Sequence, residues 1–391
     1  MKLETIKYQL AIFIRYAGDA FIYPFLALYF SHIGLDNSQI GLIMMILPLV
    51  AIFINPIWST LSKNINSNRH FVRILSIIEA IAAVLLVHIG TNIWLIVLIV
   101  FIIGVVGQPI YILLDSILVT YARLENYEYS KIRLFGSFAY MVTVLFSGMI
   151  AAYSYKLAFI IGASLFTLTS LLITWIKPLD LDKDMLLEQK AQPKLLMKNK
   201  KYWAYVMVVT LTLSTMFVFD TYLPVFLKDL YGFGEAEYGY LMAGFMAFEL
   251  VILLILSRVG KKIPNFYLYL VMILSLVIRF GIYALSQYTS IPIEVIVAVT
   301  MLRSIPISFS IYMMMVMITK LVAPFNVTFA TTVMSSIRSI YTTILVLFGG
   351  YLTKDINNYK YWFLLGAGLA ILTFAFIDYK NSMKVNENVL K

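Results

Sequence analysis

The sequence predicts an all-α membrane protein with twelve transmembrane helices in two pseudo-symmetric six-helix bundles. Of its 391 residues, 61% are hydrophobic and 13% are charged, and the mean hydropathy is +0.89. Soluble domains are closer to half apolar and a quarter charged. A transmembrane helix needs about 20 mainly apolar residues, and twelve such stretches account for most of the chain.

The twelve predicted helices fall into two sets of six. The first set lies near residues 8–31, 39–61, 72–91, 93–120, 133–154 and 156–177. The second set lies near residues 202–227, 238–258, 265–288, 292–319, 329–352 and 358–380. Residues 178–201 between them are polar and rich in lysine. The predicted domains are therefore an N-terminal bundle (1–177), a cytoplasmic linker (178–201) and a C-terminal bundle (202–391).

The two sets carry matching landmarks, which indicates a duplicated six-helix unit. Tyr23-Pro24-Phe25-Leu26 ends the first helix, and Leu223-Pro224-Val225-Phe226 ends the seventh. The interval from Gly41 to Lys63 is 22 residues, as is the interval from Gly239 to Lys261. Two repeats with a site near the midplane between them are typical of secondary transporters.

The distribution of Lys and Arg predicts the orientation of the chain. The predicted connections on one side of the membrane hold only Lys156, Lys228, Lys354 and Lys360. Four arginines lie deep inside predicted spans, away from their ends (Arg15, Arg279, Arg303 and Arg338), which leaves 22 of the 30 basic residues at the termini and on the other side. By the positive-inside rule both termini are cytoplasmic, in a cell membrane. The net charge of +10 therefore reflects topology and gives no reason to expect nucleic acid as a partner.

Several kinds of chemistry find no support in the sequence. There is no cysteine, which excludes disulfides, thiolate metal sites and thiol nucleophiles. The three histidines show no ligand spacing, and there is no nucleophile–base arrangement or Gly-rich phosphate loop. We therefore expect no enzyme activity, no cofactor and no metal. The first apolar run lacks a small-residue cleavage site, so we interpret it as a retained helix.

Ionised residues inside the predicted spans are the candidate functional groups, because such residues normally face a protein interior or a cavity and have partners. Arginine stays charged, so each buried arginine requires a carboxylate, an anionic ligand or water nearby. The carboxylates are Asp19, Glu79, Asp115, Asp220 and Glu249. The arginines are Arg15, Arg133, Arg279, Arg303 and Arg338.

Two pairings follow from position. Arg15 and Asp19 are four residues apart and share a helix face, either as an internal neutralising pair or with a role in coupling. Asp220 and Arg338 lie in corresponding regions of the seventh and eleventh helices, which predicts a cross-helix ion pair, with direct contact to a ligand as the alternative. Glu79 has no assigned partner.

Glu249 leaves two interpretations open. It lies in an apolar run with no charge nearby in sequence. Burial of this kind suits a proton carrier. It also suits a counter-ion for Arg279 or Arg303.

The hairpin between the fourth and fifth helices contains the strongest candidate for a binding site. Asp115 and Arg133 lie on consecutive antiparallel helices, where they can pair with each other or with a ligand. Alternatively, they are charges at the water boundary. Tyr140 lies two turns beyond Arg133 on the same side of its helix, where its ring can stack on a sugar or a heterocycle.

The stretch Lys131-Ile132-Arg133-Leu134-Phe135-Gly136-Ser137-Phe138-Ala139-Tyr140 resembles a motif of the lactose permease group in the major facilitator superfamily. The motif reads Arg-Ala-Arg-Met-Phe-Gly-Cys-Val-Gly-Trp. In that group the second Arg binds sugar together with an acidic residue 18 positions earlier, which is Asp115 here. The resemblance implies a sugar–proton symporter in which Tyr140 replaces the stacking Trp.

Elsewhere the resemblance is partial. Asp220, Arg279 and Arg338 match charged positions on the group's seventh, ninth and eleventh helices. On the tenth helix, Arg303 and Pro306 stand where the group has His and the coupling Glu. The group's proton site is therefore absent.

The leading hypothesis is proton-coupled symport of a small polar solute by alternating access, with the chain acting as a monomer in the bilayer. The solute is a sugar, an oligosaccharide or a nucleoside. Expected substrate-binding residues are Asp115, Arg133, Tyr140 and Arg303. Expected proton-coupling or ion-pair residues are Asp19, Arg15, Asp220, Arg338, Glu249 and Arg279.

The alternative is a proton-coupled exporter of amphipathic compounds, for which the Met-rich run at residues 312–317 offers an adaptable apolar wall. A channel is disfavoured because the opposed charges do not form a repeated ring.

Overall fold

A computed structural model describes residues 3–61, 65–125, 127, 129–176, 196–322, 327–378 and 382–383. Every regular element in these ranges is helical. Most of the predicted linker, residues 178–195, lies outside the described residues.

Eight helices come from the first predicted set. They are α1 (Leu3–Ile22), α2 (Leu26–His32), α3 (Asn37–Met44), α4 (Ile46–Leu61), α5 (Ile65–Leu86), α6 (Ile93–Leu124), α7 (Tyr129–Tyr153) and α8 (Tyr155–Trp175).

The second set begins with α9 (Lys200–Val209), a π-helical turn (Thr210–Ser214) and α10 (Thr215–Asp220). The helices that follow are α11 (Leu223–Tyr231), α12 (Glu235–Val259), α13 (Asn265–Leu285), α14 (Ile293–Met301), α15 (Ser304–Leu321), α16 (Val327–Leu352) and α17 (Tyr359–Leu372).

Within the described residues, eleven helical stretches are long and apolar enough to cross a membrane, and each overlaps one of the predicted helices. The predicted helix near 72–91 is not among the eleven. It corresponds to α5, whose 22 residues include Arg69, Arg73 and Glu79. Charges in hydrocarbon are costly, which sets α5 apart from the other helices.

Proline marks corresponding breaks in the two sets of helices. A 3₁₀ turn at Tyr23–Phe25 with Pro24 at its start separates α1 from α2. A turn at Thr221 and Tyr222 separates α10 from α11, where Pro224 is the second residue. Proline lacks a backbone N–H and fits the first turn of a helix, so each break restarts the helix.

Packing divides the chain into two compact units. One comprises Met1–Leu186 with Leu227–Ala243, and the other comprises Leu187–Phe226 with Gly244–Lys391. The division differs from the predicted bundles (1–177 and 202–391) in placing residues 227–243 with the first unit. The predicted bundles therefore stay a prediction.

In the first unit, α1 packs on α7 and α8, and α5 packs on α6 and α8. Its apolar core includes Ile12, Ile110 and Leu114, beside the stacked rings of Tyr8 and Tyr121, whose centroids are 4.0 Å apart.

The start of α12 packs on α7 in this unit through two glycines. A Cβ on Gly148 would lie 2.7 Å from the carbonyl oxygen of Glu235 and 3.0 Å from Cα of Gly239. A Cβ on Gly239 would lie 2.8 Å from the carbonyl oxygen of Val144. Glu235 also accepts a hydrogen bond from Tyr155 at 2.6 Å. The backbones meet here at a distance that excludes any side chain.

In the second unit, α13 packs on α15 and α17. The ring of Phe219 stacks on Trp362 with centroids 4.0 Å apart. The helix that the sequence predicts at 292–319 is interrupted at Leu302 and Arg303, between α14 and α15. Pro306 explains the interruption, because it cannot donate to the carbonyl of Leu302 and its ring clashes there.

We expect Gly148→Ala to destabilise the protein by about 1–3 kcal/mol, because the new methyl group overlaps backbone atoms that cannot turn away. The matched control is Gly368→Ala in α17, where an added Cβ meets nothing within 4 Å. That change should be neutral or stabilising, since alanine favours a helix over glycine. Thermal unfolding of both variants in detergent tests the contact, and equal midpoints would contradict it.

Candidate functional site

The described residues contain two groups of charged side chains in the first unit and one in the second. The first is the predicted pair on α6 and α7. Arg133 Nε lies 3.9 Å from Asp115 Oδ1, and the side chains are 33% and 43% exposed respectively. This distance is too long for a hydrogen bond between the two atoms. The carboxylate and the guanidinium thus face each other at a partly exposed site.

The aromatic ring that contacts Arg133 belongs to Tyr16 on α1. The Arg133 guanidinium carbon lies 4.4 Å from the centre of the Tyr16 ring, a cation–π arrangement. Gly136 makes room for both, since a Cβ there would lie 3.0 Å from the Tyr16 ring and 3.1 Å from Arg133 Nη1. Tyr140 is half-buried on the same helix as Arg133. Its stacking role stays a prediction.

The second group, the Arg15 cluster, comprises Arg15, Asp19 and Glu79. Arg15 Nη1 and Nη2 donate to the Glu79 carboxylate at 2.5 and 3.0 Å. The predicted Arg15–Asp19 contact is present, with Nη2 and Oδ1 3.1 Å apart. The side chains are 0%, 4% and 1% exposed in the order named, so the cluster is shielded from water.

Sequence reasoning left Glu79 without a partner. The sequence did contain an indication of this pair, because Glu79 lies in the middle of its helix and Arg15 lies inside a span, so each needs a counter-ion. The Tyr23 hydroxyl donates a third hydrogen bond to the Glu79 carboxylate, at 2.7 Å. The Arg15 guanidinium lies between the rings of Tyr111 and Phe166, with carbon-to-centroid distances of 5.1 and 4.2 Å.

The third group, the Asp220 cluster, joins α10 to α13 and to the interruption before α15. Arg279 Nη2 donates to Asp220 Oδ1 at 2.5 Å, and Arg303 Nε donates to Asp220 Oδ2. Arg279 also donates from Nε to the Tyr283 hydroxyl at 3.2 Å. The Arg303 guanidinium lies 4.9 Å from the ring of Phe245. The interruption at Leu302 and Arg303 places this arginine beside the carboxylate.

The predicted Asp220–Arg338 ion pair is wrong. Arg338 donates from Nε to the hydroxyl of Ser214 at 3.0 Å, at the end of the π-helical turn. Asp220 is six residues beyond Ser214, which turns it about 240° around the helix from that serine. Asp220 therefore contacts the arginines of α13 and the α14–α15 interruption.

Glu249 on α12 is half-buried, and its backbone carbonyl accepts a hydrogen bond from Ser308 at 3.1 Å. Asp220 contacts both Arg279 and Arg303, the two arginines for which Glu249 was considered as a counter-ion. The possible role of Glu249 as a proton carrier stays a prediction. So does the substrate-binding role of Arg303.

In these groups carboxylates neutralise guanidiniums. Within the described ranges no three His, Cys, Asp or Glu side chains are arranged to hold a metal ion. The groups present are guanidiniums, carboxylates and phenols on helices long enough to cross a membrane.

Comparison with known proteins identifies the family. The sequence profile described as the MFS_1 like family matches residues 5–365, which is most of the chain. The chain belongs to the MFS_1-like family. It is a multi-pass membrane transporter of the major facilitator type, and the relatives and structures that it resembles are transporters, not enzymes.

Two curated relatives of this MFS_1-like protein match by sequence. The uncharacterized transporter YwbF of Bacillus subtilis is 26% identical over 215 residues, covering 54% of this chain and 53% of the relative. The melibiose permease of Enterobacter cloacae subsp. cloacae is 21% identical over 286 residues, covering 65% of each protein. The chain thus spans between half and two thirds of the length of these relatives.

Solved structures show the same fold. The nucleoside transporter NupG superposes with a TM-score of 0.76 at 16% identity, covering 97% of this chain and 100% of that one. The D-xylose–proton symporter gives 0.74 at 12% identity, covering 97% and 98%. A bacterial homologue of the iron transporter ferroportin gives 0.69 at 14% identity, covering 98% and 100%. These TM-scores show that the MFS_1-like chain has the same fold. Sequence identities this low do not identify its substrate.

We expect Gly107→Ala to disturb the Arg15 cluster from the side of α6. The new Cβ would lie 2.7 Å from Glu79 Oε1 and 2.8 Å from the Tyr23 hydroxyl, so it displaces a carboxylate held by three hydrogen bonds. The matched control is Gly104→Ala, one turn earlier, where the nearest atoms are 3.4 to 3.5 Å away. The unfolding temperature should fall for Gly107→Ala alone. A fall of the same size in both would contradict the assignment.

Asp220→Asn should destabilise the protein by about 3–5 kcal/mol, because removing one partner of a buried ion pair leaves charge uncompensated. Asp115→Asn is the control, since that carboxylate is 43% exposed and its loss leaves Arg133 in contact with water. Chemical unfolding in detergent measures both. The assignment of Asp220 as the counter-ion fails if the two variants lose the same stability.

Proposed function

We propose that this transporter catalyses proton-coupled symport of a small polar solute, a sugar, oligosaccharide or nucleoside, by alternating access. The observation that carries the proposal is the Asp115–Arg133 pair. Its side chains are 33% and 43% exposed, whereas those of the Arg15 cluster are at most 4% exposed and those of the Asp220 cluster at most 10% exposed.

This difference in exposure distinguishes a pair that can bind a solute from ion pairs that hold helices together. Guanidiniums and carboxylates give strong hydrogen bonds to polar ligands, and the two together match the hydroxyl groups of a sugar. In the two buried clusters the ion pairs are at most 10% exposed. At Asp115 and Arg133 a solute can approach side chains that are partly exposed, without opening a buried ion pair.

The Tyr16 ring adds a second recognition element. It lies against Arg133, so an apolar face and a polar pair stand side by side. Ligand sites combine apolar surface with a few placed polar groups in this way. Tyr140, which the sequence resemblance puts at the stacking position, is the further candidate for the sugar or base face.

The comparisons support the same class of solute. The melibiose permease, the nucleoside transporter NupG and the D-xylose–proton symporter are named for small polar cargo. The ferroportin homologue shows that the fold also serves a metal transporter, so the choice rests on the residues of this chain.

We further propose twelve spans, with α5 as the twelfth, two six-helix bundles (1–177 and 202–391), and action as a monomer in the cell membrane. Pairing of Glu79 with Arg15 supports a membrane position for α5, because it neutralises a charge that α5 otherwise carries into hydrocarbon. The Lys and Arg distribution supports cytoplasmic termini.

The test uses the full chain in liposomes that contain a pH-sensitive dye, challenged with sugars, nucleosides and small organic acids. We expect one class of solute to drive protons across the membrane. Asp115→Asn should raise the half-saturating concentration of that solute about tenfold or more, because it loses a charge-assisted hydrogen bond. Glu294→Gln, an exposed carboxylate at the start of α14, is the matched control and should leave transport unchanged.

Two outcomes would overturn parts of the proposal. Wild-type transport by Asp115→Asn would remove the substrate-site assignment. If no solute moves protons while an apolar dye is expelled under an imposed pH gradient, the exporter alternative replaces symport.

A further inference from the structure

The Arg15 cluster contains one more acidic group than basic groups. Arg15 brings one positive charge, and Asp19 and Glu79 bring one negative charge each when ionised. All three side chains are at most 4% exposed. A buried charge without a partner is costly. One proton on one of the two carboxylates would balance the cluster.

Hydrogen bonding distinguishes the two carboxylates. Glu79 accepts two hydrogen bonds from Arg15 and one from Tyr23. Asp19 has weaker polar contacts: Arg15 Nη2 lies 3.1 Å from its Oδ1 without regular hydrogen-bond geometry, and the Tyr111 hydroxyl is placed to donate to its carboxylate. Protonating Glu79 would weaken three hydrogen bonds, two of them from a guanidinium, whereas protonating Asp19 would weaken a single contact with Arg15. Asp19 is therefore the carboxylate that can accept a proton at the lower cost.

The groups around Asp19 come from four packed helices. The charged and titratable groups that interact with it are Arg15 and Tyr16 on α1, Tyr23 in the turn after α1, Glu79 on α5, Tyr111 on α6 and Arg133 on α7. The residue is 3% exposed, so bulk water does not reach the carboxylate in this conformation. A proton bound here would be held away from water until the surroundings rearrange.

The Asp220 cluster has the opposite arrangement. One carboxylate there contacts both Arg279 and Arg303. A proton on Asp220 would neutralise the carboxylate that both guanidiniums contact, which is unfavourable in a buried site. Of the two buried clusters, the Arg15 cluster is thus the one whose contacts favour taking up a proton.

Aromatic rings connect the Arg15 cluster to the proposed solute site. The Tyr16 ring contacts Arg133 and lies edge-on to the Tyr111 ring, with centroids 6.0 Å apart. The Tyr111 ring in turn lies 5.1 Å from the Arg15 guanidinium carbon. A solute that moves Arg133 changes both the packing of Tyr16 and the positive charge near Asp19.

We propose that Asp19 carries the coupled proton, that Glu79 is the fixed counter-ion of Arg15, and that Tyr16 and Tyr111 are positioning residues between proton and solute. The proposal rests on proton-coupled transport as proposed above. The step is binding of one proton from water to an Asp19 carboxylate oxygen and its release to water on the other side. No covalent bond to the solute is made or broken.

The experiment compares two carboxylate variants of the full chain in liposomes. Asp19→Asn places a neutral amide where the protonated acid would be, so it should keep solute exchange between the two sides and lose solute-driven proton movement. Glu79→Gln removes one of the two negative charges beside Arg15. The remaining carboxylate, Asp19, is then balanced by the guanidinium and binds a proton less readily. For that variant the pH of half-maximal uptake should shift to more acidic values. Glu294→Gln is the control and should match the parent protein.

The outcomes separate this proposal from the proposed function. Proton movement by the parent protein with any solute, retained in Asp19→Asn, overturns the assignment of Asp19 and leaves symport standing. An absence of proton movement in the parent protein overturns symport, and the assignment with it. Should Asp19→Asn fail to fold, the Glu79→Gln pH profile decides, and an unchanged profile overturns the proposal.

Discussion

A guanidinium does not give up its proton at any relevant pH, and this constraint governs how the helices of both units pack. Arg15 and Arg279 have side chains that are at most 1% exposed. Each of these arginines can be buried only if a carboxylate on a neighbouring helix lies at the same depth along the helix axes and on the face that meets it. Glu79 on α5 and Asp220 on α10 meet that requirement, so the ion pairs fix the rotation of the helices that carry them.

The two units meet the constraint differently. In the first, one guanidinium serves two carboxylates, and aromatic rings cover its faces. In the second, one carboxylate serves two guanidiniums, and a helix interruption is needed to bring the second one into reach. The two units therefore neutralise their buried arginines with opposite ratios of carboxylates to guanidiniums.

Local geometry accounts for what the sequence could predict. The Arg15–Asp19 contact follows from a spacing of four residues, and Asp115 faces Arg133 because consecutive helices joined by a short hairpin lie side by side. The apolar stretches revealed eleven candidate spans because length and composition alone identify them.

Contacts between distant helices depend on rotations that spacing does not determine. Arg15 and Glu79 are 64 positions apart, and nothing in either helix states which face meets the other. Asp220 was assigned to the wrong arginine because the π-helical turn before it and the interruption at Arg303 alter which faces meet. The contact of the Tyr16 ring with Arg133 was not predicted either, because the two residues lie on different helices, α1 and α7, and sequence spacing does not determine which faces of those helices meet.

The contact between Gly148 and Gly239 has an entropic consequence. Neither residue has a rotamer to lose, so forming this contact freezes no side chain, unlike the packing of leucine or methionine. The attraction comes from dispersion and from Cα–H groups facing carbonyl oxygens. Such a contact is nearly independent of salt and pH. Its geometry within the first unit is therefore set by the shape of the two backbones alone.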